Sequence, residues 1–211
     1  PIPIQGKYQY YPWLFFPLVG QGSNHPIVRN INTVKTEFVS SLDTMISPSI
    51  KKTILLSTGN ASRISTTPVY ITLRGVSRRP QEKQYRQAGV PVAVLLEGNF
   101  ESLYKFQTLG KLDSTEGFSR LLDSKPTKMI VVADGDIAVN PVSSKGEIYP
   151  VGFDINSKQV YQGNKEFLLN AINYLCDDDG LMSVRLREIK MRLLNKDKVL
   201  KEKALWKSIN T

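Results

Sequence analysis

Histidine and cysteine are almost absent from this chain, which has one of each in 211 residues. A zinc site needs several such ligands, so no zinc site is expected. A Ser-His-Asp triad would have to use His25, which stands in a turn before Pro26, and no Gly-x-Ser-x-Gly elbow occurs in the sequence. The single Cys176 allows no intrachain disulfide. Its place late in an amphipathic helix predicts a buried or half-buried structural residue rather than a nucleophile.

Sequence signals for nucleotide binding and for crossing a membrane are missing as well. There is no Walker A sequence and no Gly-x-Gly-x-x-Gly after a strand, so the chain is not expected to hydrolyse nucleotides. The longest apolar stretch, Trp13–Val19, has seven residues and includes Pro17, whereas a transmembrane helix needs about 20. The sequence opens Pro-Ile-Pro without an initiator Met or a signal peptide. We therefore interpret it as a fragment whose targeting segment lies elsewhere.

Positive charge is concentrated at the C-terminal end. The net charge is +9, of which residues 181–211 contribute +6 through nine Lys/Arg and three Asp/Glu. This division predicts an α/β domain over residues 1–180, with an extended aromatic N-terminal segment, and a basic extension over residues 181–211. A basic segment attracts nucleic acid or anionic lipid, or it forms a solvated helix face. No nucleic-acid motif accompanies the charge between Arg185 and Lys207, so nucleic-acid binding is not expected.

Three apolar stretches, Lys52–Thr58, Val90–Glu97 and Lys128–Ala133, predict a central sheet. They are rich in Val, Ile and Leu, and strands buried on both faces have such continuous apolar runs. Long stretches with polar or helical character separate them. The pattern predicts an α/β sandwich with a central, mostly parallel or mixed sheet and flanking helices.

One amphipathic helix is predicted from Lys165 to Asp177. Asn164 is a suitable N-cap, because its side-chain oxygen can accept a backbone N–H of the first turn. Gly180 lies near the expected end of the helix. The apolar residues at helical spacing are Phe167, Leu168, Ala171, Ile172 and Leu175.

Carboxylates at the ends of predicted strands form a candidate ligand-binding site. Asp134 and Asp136 follow the third apolar stretch, Glu97 ends the second, and Asn140 lies in the loop beyond. The carboxyl ends of sheet strands are where α/β folds bind ligands. Two Asp separated by Gly can converge on a hard cation, and they also form ordinary Asx-turns. We assign these four residues to a small-molecule, saccharide or cation site, with no dedicated metal site, no cofactor and no catalytic residue.

An ordered set of segments along nearly the whole chain is similar to the GldG family, the auxiliary components of gliding-motility ABC transporters. No single segment is specific, and the resemblance depends on their order. The segments are His25–Asn30, Lys52–Leu56, Pro91–Gly98, Val132–Asp136, Gly163–Leu175 and Asp178–Leu181.

The resemblance implies a fold, a role and a location. The fold would be a flavodoxin-like or glutamine-amidotransferase-like sandwich, and the missing Cys-His constellation agrees with a non-catalytic role. The protein would be an accessory component that binds partner proteins or an exported substrate, with an ABC ATPase and a permease as partners. It would lie on the extracytoplasmic (periplasmic) face of the inner membrane, held by a transmembrane anchor after Thr211.

Overall fold

An antiparallel five-stranded sheet forms the centre of the structure, a computed structural model that describes residues 2–4, 7–9, 13–72, 81–106, 121–177 and 180. Its strand order is β4-β3-β5-β6-β7, and two small antiparallel pairs, β1–β2 and β8–β9, lie outside it. One α-helix occurs in the described ranges, together with 3₁₀ turns at Glu82–Gln84 and Asp136–Ala138. The elements are β1 (Ile2–Ile4), β2 (Lys7–Gln9), β3 (Leu18–Gln21), β4 (Val34–Lys35), β5 (Ile50–Ser57), β6 (Pro91–Gly98), β7 (Thr127–Val132), β8 (Phe153–Asp154), β9 (Gln159–Val160) and α1 (Gln162–Leu175).

The predicted mostly parallel or mixed sheet of a flavodoxin-like or glutamine-amidotransferase-like sandwich is wrong. All neighbouring strands of the sheet run antiparallel, including the three apolar strands β5, β6 and β7. The connections over residues 58–90 and 99–126 are long enough for the helical crossovers that parallel strands need. Each connection nevertheless leads into a strand that runs antiparallel to the one before it. Continuous apolar sequence reports burial on both faces of a strand, and it carries no information about strand direction.

The core lies between the sheet and α1. Ala93 and Leu95 of β6 point to the same face because side chains alternate along a strand, and both are fully buried. They join Phe167 and Ala171 of α1 in one hydrophobic cluster. Val94, on the opposite face of β6, is also buried. Strand β6 is therefore covered on both faces, which accounts for its uninterrupted apolar sequence.

The helix begins at Gln162, three residues before the predicted start, and Asn164 is not its N-cap. The N-cap is Tyr161, whose side chain makes no capping hydrogen bond. Asn164 lies inside the first turn with 2% of its surface exposed. Its Oδ1 accepts the Lys35 N–H at 2.8 Å, and its Nδ2 donates to the Lys35 carbonyl at 2.9 Å. The amide thus pairs with the backbone of β4 much as a neighbouring strand would.

The outer face of α1 is more apolar than the expected amphipathic pattern allows. Ile172 and Leu175, predicted to lie on the packed face, are exposed together with Leu169. Cys176, predicted to be buried or half-buried, is exposed just after the end of the helix. One turn of the helix places residues i and i+3 side by side, so these apolar side chains form one stripe.

The first turn of α1 also requires glycine. A Cβ at Gly163 would stand 2.4 Å from the carbonyl oxygens of both Asn32 and Thr33. The Glu166 carboxylate accepts the Asn32 N–H at 2.9 Å in the same region. The helix therefore meets the chain before β4 backbone to backbone, which only a residue without a side chain permits.

We expect Gly163→Ala to destabilise the protein by about 1–3 kcal/mol, because the new methyl group would overlap two backbone carbonyls. Helix propensity alone predicts the opposite, since Ala is favoured over Gly by about 1 kcal/mol inside a helix. Urea unfolding followed by circular dichroism would measure the difference. Gly135→Ala is the matched control, because a Cβ at Gly135 meets nothing within 4 Å. A Gly163→Ala variant as stable as this control would contradict the proposed close approach.

Candidate functional site

The four predicted site residues lie at opposite ends of the sheet. Asp134, Asp136 and Asn140 follow β7, whereas Glu97 near the end of β6 pairs in register with Lys128 near the start of β7. Asp134 is six residues further along the chain than Lys128, or about 20 Å at roughly 3.4 Å per residue. The prediction that their strand ends meet depended on parallel strands, so Glu97 does not join the other three residues.

Asp134 is a buried structural carboxylate. Its Oδ2 accepts the Glu37 N–H at 2.7 Å, and its Oδ1 accepts the Asp136 N–H at 2.9 Å. Burial raises the pKa of Asp134, while these two backbone hydrogen bonds act in the opposite direction. The side chain thus joins the end of β7 to the chain after β4. The bond to Asp136 forms the Asx-turn that the sequence allowed, and the bond to Glu37 joins this turn to a distant segment.

A cavity of about 280 Å³ lies beside this junction, and we call it the Lys35 cavity. The Lys35 ammonium group is paired with the Glu37 carboxylate and lies 3.7 Å from Asp154 Oδ1. It also stands 5.6 Å from the centre of the Phe16 ring. Asp136 is exposed and lines the same cavity. The other lining residues are Val139, Pro141, Gly152, Phe153, Ile155, Asn156 and Asn164.

Two further polar side chains near the cavity serve the local backbone. Burial alone would raise the pKa of Asp154, but hydrogen bonds from Ser157 and Asn156 and the Lys35 charge lower it. Asn140 donates from Nδ2 to the Tyr149 carbonyl at 2.9 Å. Of the three predicted residues at this end of the sheet, only Asp136 lines the cavity.

Glu97 belongs to a second polar group, the tyrosine cluster, which consists of His25, Lys51, Glu97, Lys128 and Tyr174. The Tyr174 hydroxyl donates to Glu97 Oε1 at 2.7 Å, and Lys51 Nζ lies 3.7 Å from Glu97 Oε2. Lys128 Nζ stands 4.8 Å from the centre of the Tyr174 ring. Burial and the Glu97 carboxylate raise the pKa of Tyr174 to about 12. The phenol is therefore neutral and acts as a donor at physiological pH.

His25 completes the tyrosine cluster. Its ring packs edge-on against Tyr174 with 4.8 Å between centroids, and its Nδ1 accepts the Ile27 N–H at 3.3 Å. Burial lowers the pKa of His25, with the Glu97 charge opposing this and Lys51 reinforcing it. The neutral imidazole is thus the form that fits the folded protein.

Sequence reasoning missed Tyr174, although a signal for it was present. Tyr174 follows Phe167 by seven residues and Ala171 by three, which places it on the buried face of α1. A tyrosine on such a face needs a hydrogen-bond partner, and Glu97 supplies it. Lys35 and Glu37 had no comparable signal, because Asp154 lies far from them along the chain and approaches Lys35 only in the folded protein.

Neither polar group assembles a nucleophile with a general base in the described residues. No group of three or more His, Cys, Asp or Glu in the part covered by the structure is arranged to hold a metal ion. No helix within those ranges is long and apolar enough to cross a bilayer. The geometry therefore defines an antiparallel sheet domain whose polar groups mainly hold its own backbone together.

A family model for ABC-type uncharacterized transport systems, which groups their auxiliary components, matches residues 3–171. The match covers most of the chain, and the protein belongs to this family. No curated protein and no solved structure matches it significantly. The expectation of an ABC-transport auxiliary protein is thereby confirmed at the level of the family, which indicates a non-enzymatic role.

The tyrosine cluster predicts a pH dependence of stability below neutrality. A histidine whose folded pKa lies below its usual 6.5 binds protons more readily in the unfolded chain. The stability that the neutral His25 side chain contributes is present above pH 6.5, and it is lost as the pH falls through the lower pKa of the folded state. We expect His25→Asn to flatten the free energy of unfolding between pH 7 and pH 5, measured by urea titration.

The comparison with wild type at each pH isolates the imidazole, because His25 is the only histidine. Asp134 acts in the opposite sense at lower pH, since its raised pKa makes the folded state lose stability as the carboxylate ionises. If the free energy of unfolding changed with pH in the same way in His25→Asn and wild type, His25 would have the same pKa in the folded and the unfolded protein.

Proposed function

We propose that this protein is a non-catalytic accessory domain that binds an ABC ATPase–permease assembly on the extracytoplasmic face of the inner membrane. The assembly serves gliding motility or export, and a membrane anchor outside this fragment holds the protein in place. Membership of the auxiliary family supports the association with a transport system. The resemblance to GldG proteins motivates gliding, the partners and the location.

The observation that carries a binding role is the apolar stripe on the outer face of α1. Leu169 is 50% exposed and Ile172 is 57% exposed, and Leu175 continues the same side. These side chains follow one another at intervals of three residues on a helix whose inner face is fixed to the sheet through Phe167 and Asn164. A rigid helix with an apolar outer stripe is a common way to present a docking face to another protein.

Affinity purification of the tagged full-length protein from its native membranes, with mass spectrometry, tests this proposal. We expect an ABC ATPase and a permease in constant proportion with the wild type. Leu169→Glu combined with Ile172→Glu should reduce both by about tenfold, because two charges would have to be buried without partners.

Val142→Glu combined with Ile148→Glu is the matched control, since both positions carry exposed apolar side chains and neither belongs to α1. Recovery of both transporter subunits should be unchanged in this control. Equal recovery with the α1 variant would place the docking face elsewhere. Absence of both subunits from the wild-type preparation would contradict the accessory role itself.

A second candidate function is the binding of a small molecule, saccharide or cation at the Asp134–Asp136 loop. The Lys35 cavity favours it, because Asp136 and Glu37 both line the cavity and the Asp134 carboxylate holds their backbones together. The Phe16 and Phe153 rings provide apolar walls. Polar groups beside aromatic surface in a concave site are typical of ligand recognition.

A thermal-shift panel of divalent cations and saccharides tests this candidate. A bound ligand at about 100 times its Kd stabilises a protein by about 2.7 kcal/mol, and we expect such a shift with one class of compound. Asp136→Ala should abolish it without lowering the basal melting temperature. Glu147→Ala, another exposed carboxylate, should leave it intact. No shift with any compound would remove this candidate.

A further inference from the structure

The Lys35 cavity holds more negative than positive charge. Its lining includes three carboxylates, those of Glu37, Asp136 and Asp154, and one ammonium group, that of Lys35. When one carboxylate balances the ammonium group, two negative charges remain in excess. Water and salt screen charges in a concave, partly enclosed site less than charges on an open surface. The cavity therefore attracts cations and repels anions.

The side chain of Lys35 shows that this environment stabilises an ammonium group. The side chain is only 10% exposed, and its Nζ is paired with Glu37. Nζ also lies 3.7 Å from Asp154 Oδ1 and 5.6 Å from the centre of the Phe16 ring. Carboxylates and an aromatic ring around one ammonium group are the features by which proteins recognise organic cations. The volume of about 280 Å³ lies beside this ammonium group.

Asp136 provides a carboxylate beyond the two that surround Lys35. The Asp136 N–H donates to Asp134 Oδ1 at 2.9 Å, so the turn uses the backbone of Asp136 and not its carboxylate. Asp134 Oδ2 accepts the Glu37 N–H at 2.7 Å, which fixes the backbones of two lining residues relative to each other. The exposed Asp136 carboxylate is therefore held by an ordered turn where a second cation can reach it.

The two aromatic rings that line the cavity are each supported by another ring. Phe38 packs edge-on against Phe16 with 4.9 Å between centroids, and Tyr149 stacks on Phe153 with 4.2 Å between centroids. Aromatic rings attract a nearby cation through their quadrupole, and they cover the carbon atoms that carry it. Because neighbouring rings hold them, these walls are formed before a ligand binds.

Metal ions, saccharides and anions fit the cavity less well. No group of three or more His, Cys, Asp or Glu among the described residues is arranged to hold a metal ion. A neutral saccharide would leave the excess charge unbalanced, and the Asn164 amide is already used by Lys35 and Ile137. An anion would be repelled by the excess carboxylates. An organic cation balances the charge and places its carbon atoms against the rings.

We infer that the Lys35 cavity binds a small organic cation, an alkylammonium or guanidinium group whose charge meets Asp136 and whose carbon chain lies against Phe16 and Phe153. The inference rests on the second candidate function above, and it names the class of ligand. A cavity of about 280 Å³ lies just below the roughly 300–1,000 Å³ of pockets for drug-sized ligands. The cation is therefore a free amine or the end of a Lys or Arg side chain of another protein.

A titration of the ¹⁵N-labelled protein with butylammonium, followed by NMR, tests the inference. We expect the amide signals of residues around the cavity, including Asp136 and Phe153, to shift and to give one dissociation constant. Neutral 1-butanol should bind about tenfold more weakly because it lacks the charge, and butanoate should not bind. The affinity for butylammonium should fall when the ionic strength is raised.

Two variants separate the local carboxylate from the overall charge of the protein. Asp136→Asn should weaken butylammonium binding by about tenfold, because a charge-assisted contact is lost. Glu147→Gln is the matched control, since it removes one exposed carboxylate that does not line the cavity. This control should keep the wild-type affinity. Equal weakening in both variants would overturn the assignment of the charge to Asp136.

A third variant tests the aromatic wall. Phe153→Leu keeps an apolar side chain but removes the ring, so the affinity for tetramethylammonium should fall by about twofold to fivefold. The NMR spectrum of the free variant reports whether the fold is retained. A correctly folded Phe153→Leu variant with unchanged affinity would remove Phe153 from the site.

The source of the cation is distinguished by a second ligand, Nα-acetyl-lysine methylamide. Tighter binding of this compound than of butylammonium would support a basic side chain of another protein. Weaker binding would support a free amine.

Other outcomes overturn the inference. Binding of 1-butanol as tight as that of butylammonium would remove the role given to charge. A melting-temperature shift with a saccharide or a divalent cation, without binding of any amine, would overturn the class of ligand and leave the second candidate function standing. Absence of binding by every compound would overturn both. The transporter subunits should still co-purify with Asp136→Asn, so failure here is distinguishable from failure of the accessory role.

Discussion

The fold depends above all on one buried side-chain amide, that of Asn164. Its Nδ2 donates to the carbonyls of both Lys35 and Ile137, and its Oδ1 accepts the Lys35 N–H. One residue of α1 thus fixes the helix to the edge strand β4 and to the turn after β7. A buried amide without hydrogen-bond partners lowers stability by more than a formed hydrogen bond raises it. The packing of these three segments is therefore specified by the single residue Asn164.

Sequence reasoning recovered the pieces of this arrangement better than their assembly. The three apolar strands and the helix exist, because burial leaves a periodic record in the sequence that is independent of topology. Strand direction leaves no such record, and the error in direction carried over to the site by placing Glu97 near Asp134. The role of Asn164 was similarly hidden, since an Asn before an apolar run is equally suited to capping a helix.

The candidate site shows why polar residues were harder to interpret than apolar ones. Asp134 and Glu97 were recognised as notable, yet each is occupied by a bond to a segment far away in the chain. Asp134 holds Glu37, and Glu97 holds Tyr174. Composition reveals a carboxylate, but only the folded chain decides whether that carboxylate is available. In this protein the two carboxylates stabilise the two ends of the sheet, because each accepts a hydrogen bond from a distant segment of the chain.

The pairing of Asn164 with Lys35 has a consequence for how copies of this protein behave when crowded. The Thr36 N–H donates to the Pro17 carbonyl, so the backbone groups of Lys35 point away from β3. Those outward groups would otherwise template an added strand from another molecule. Because the Asn164 side chain already pairs with them, this border of the sheet cannot add a strand by fibril formation or domain swapping. The opposite border of this five-stranded sheet is β7, which pairs only with β6 among the described strands, and it is the border of the sheet where an added strand from another molecule would pair.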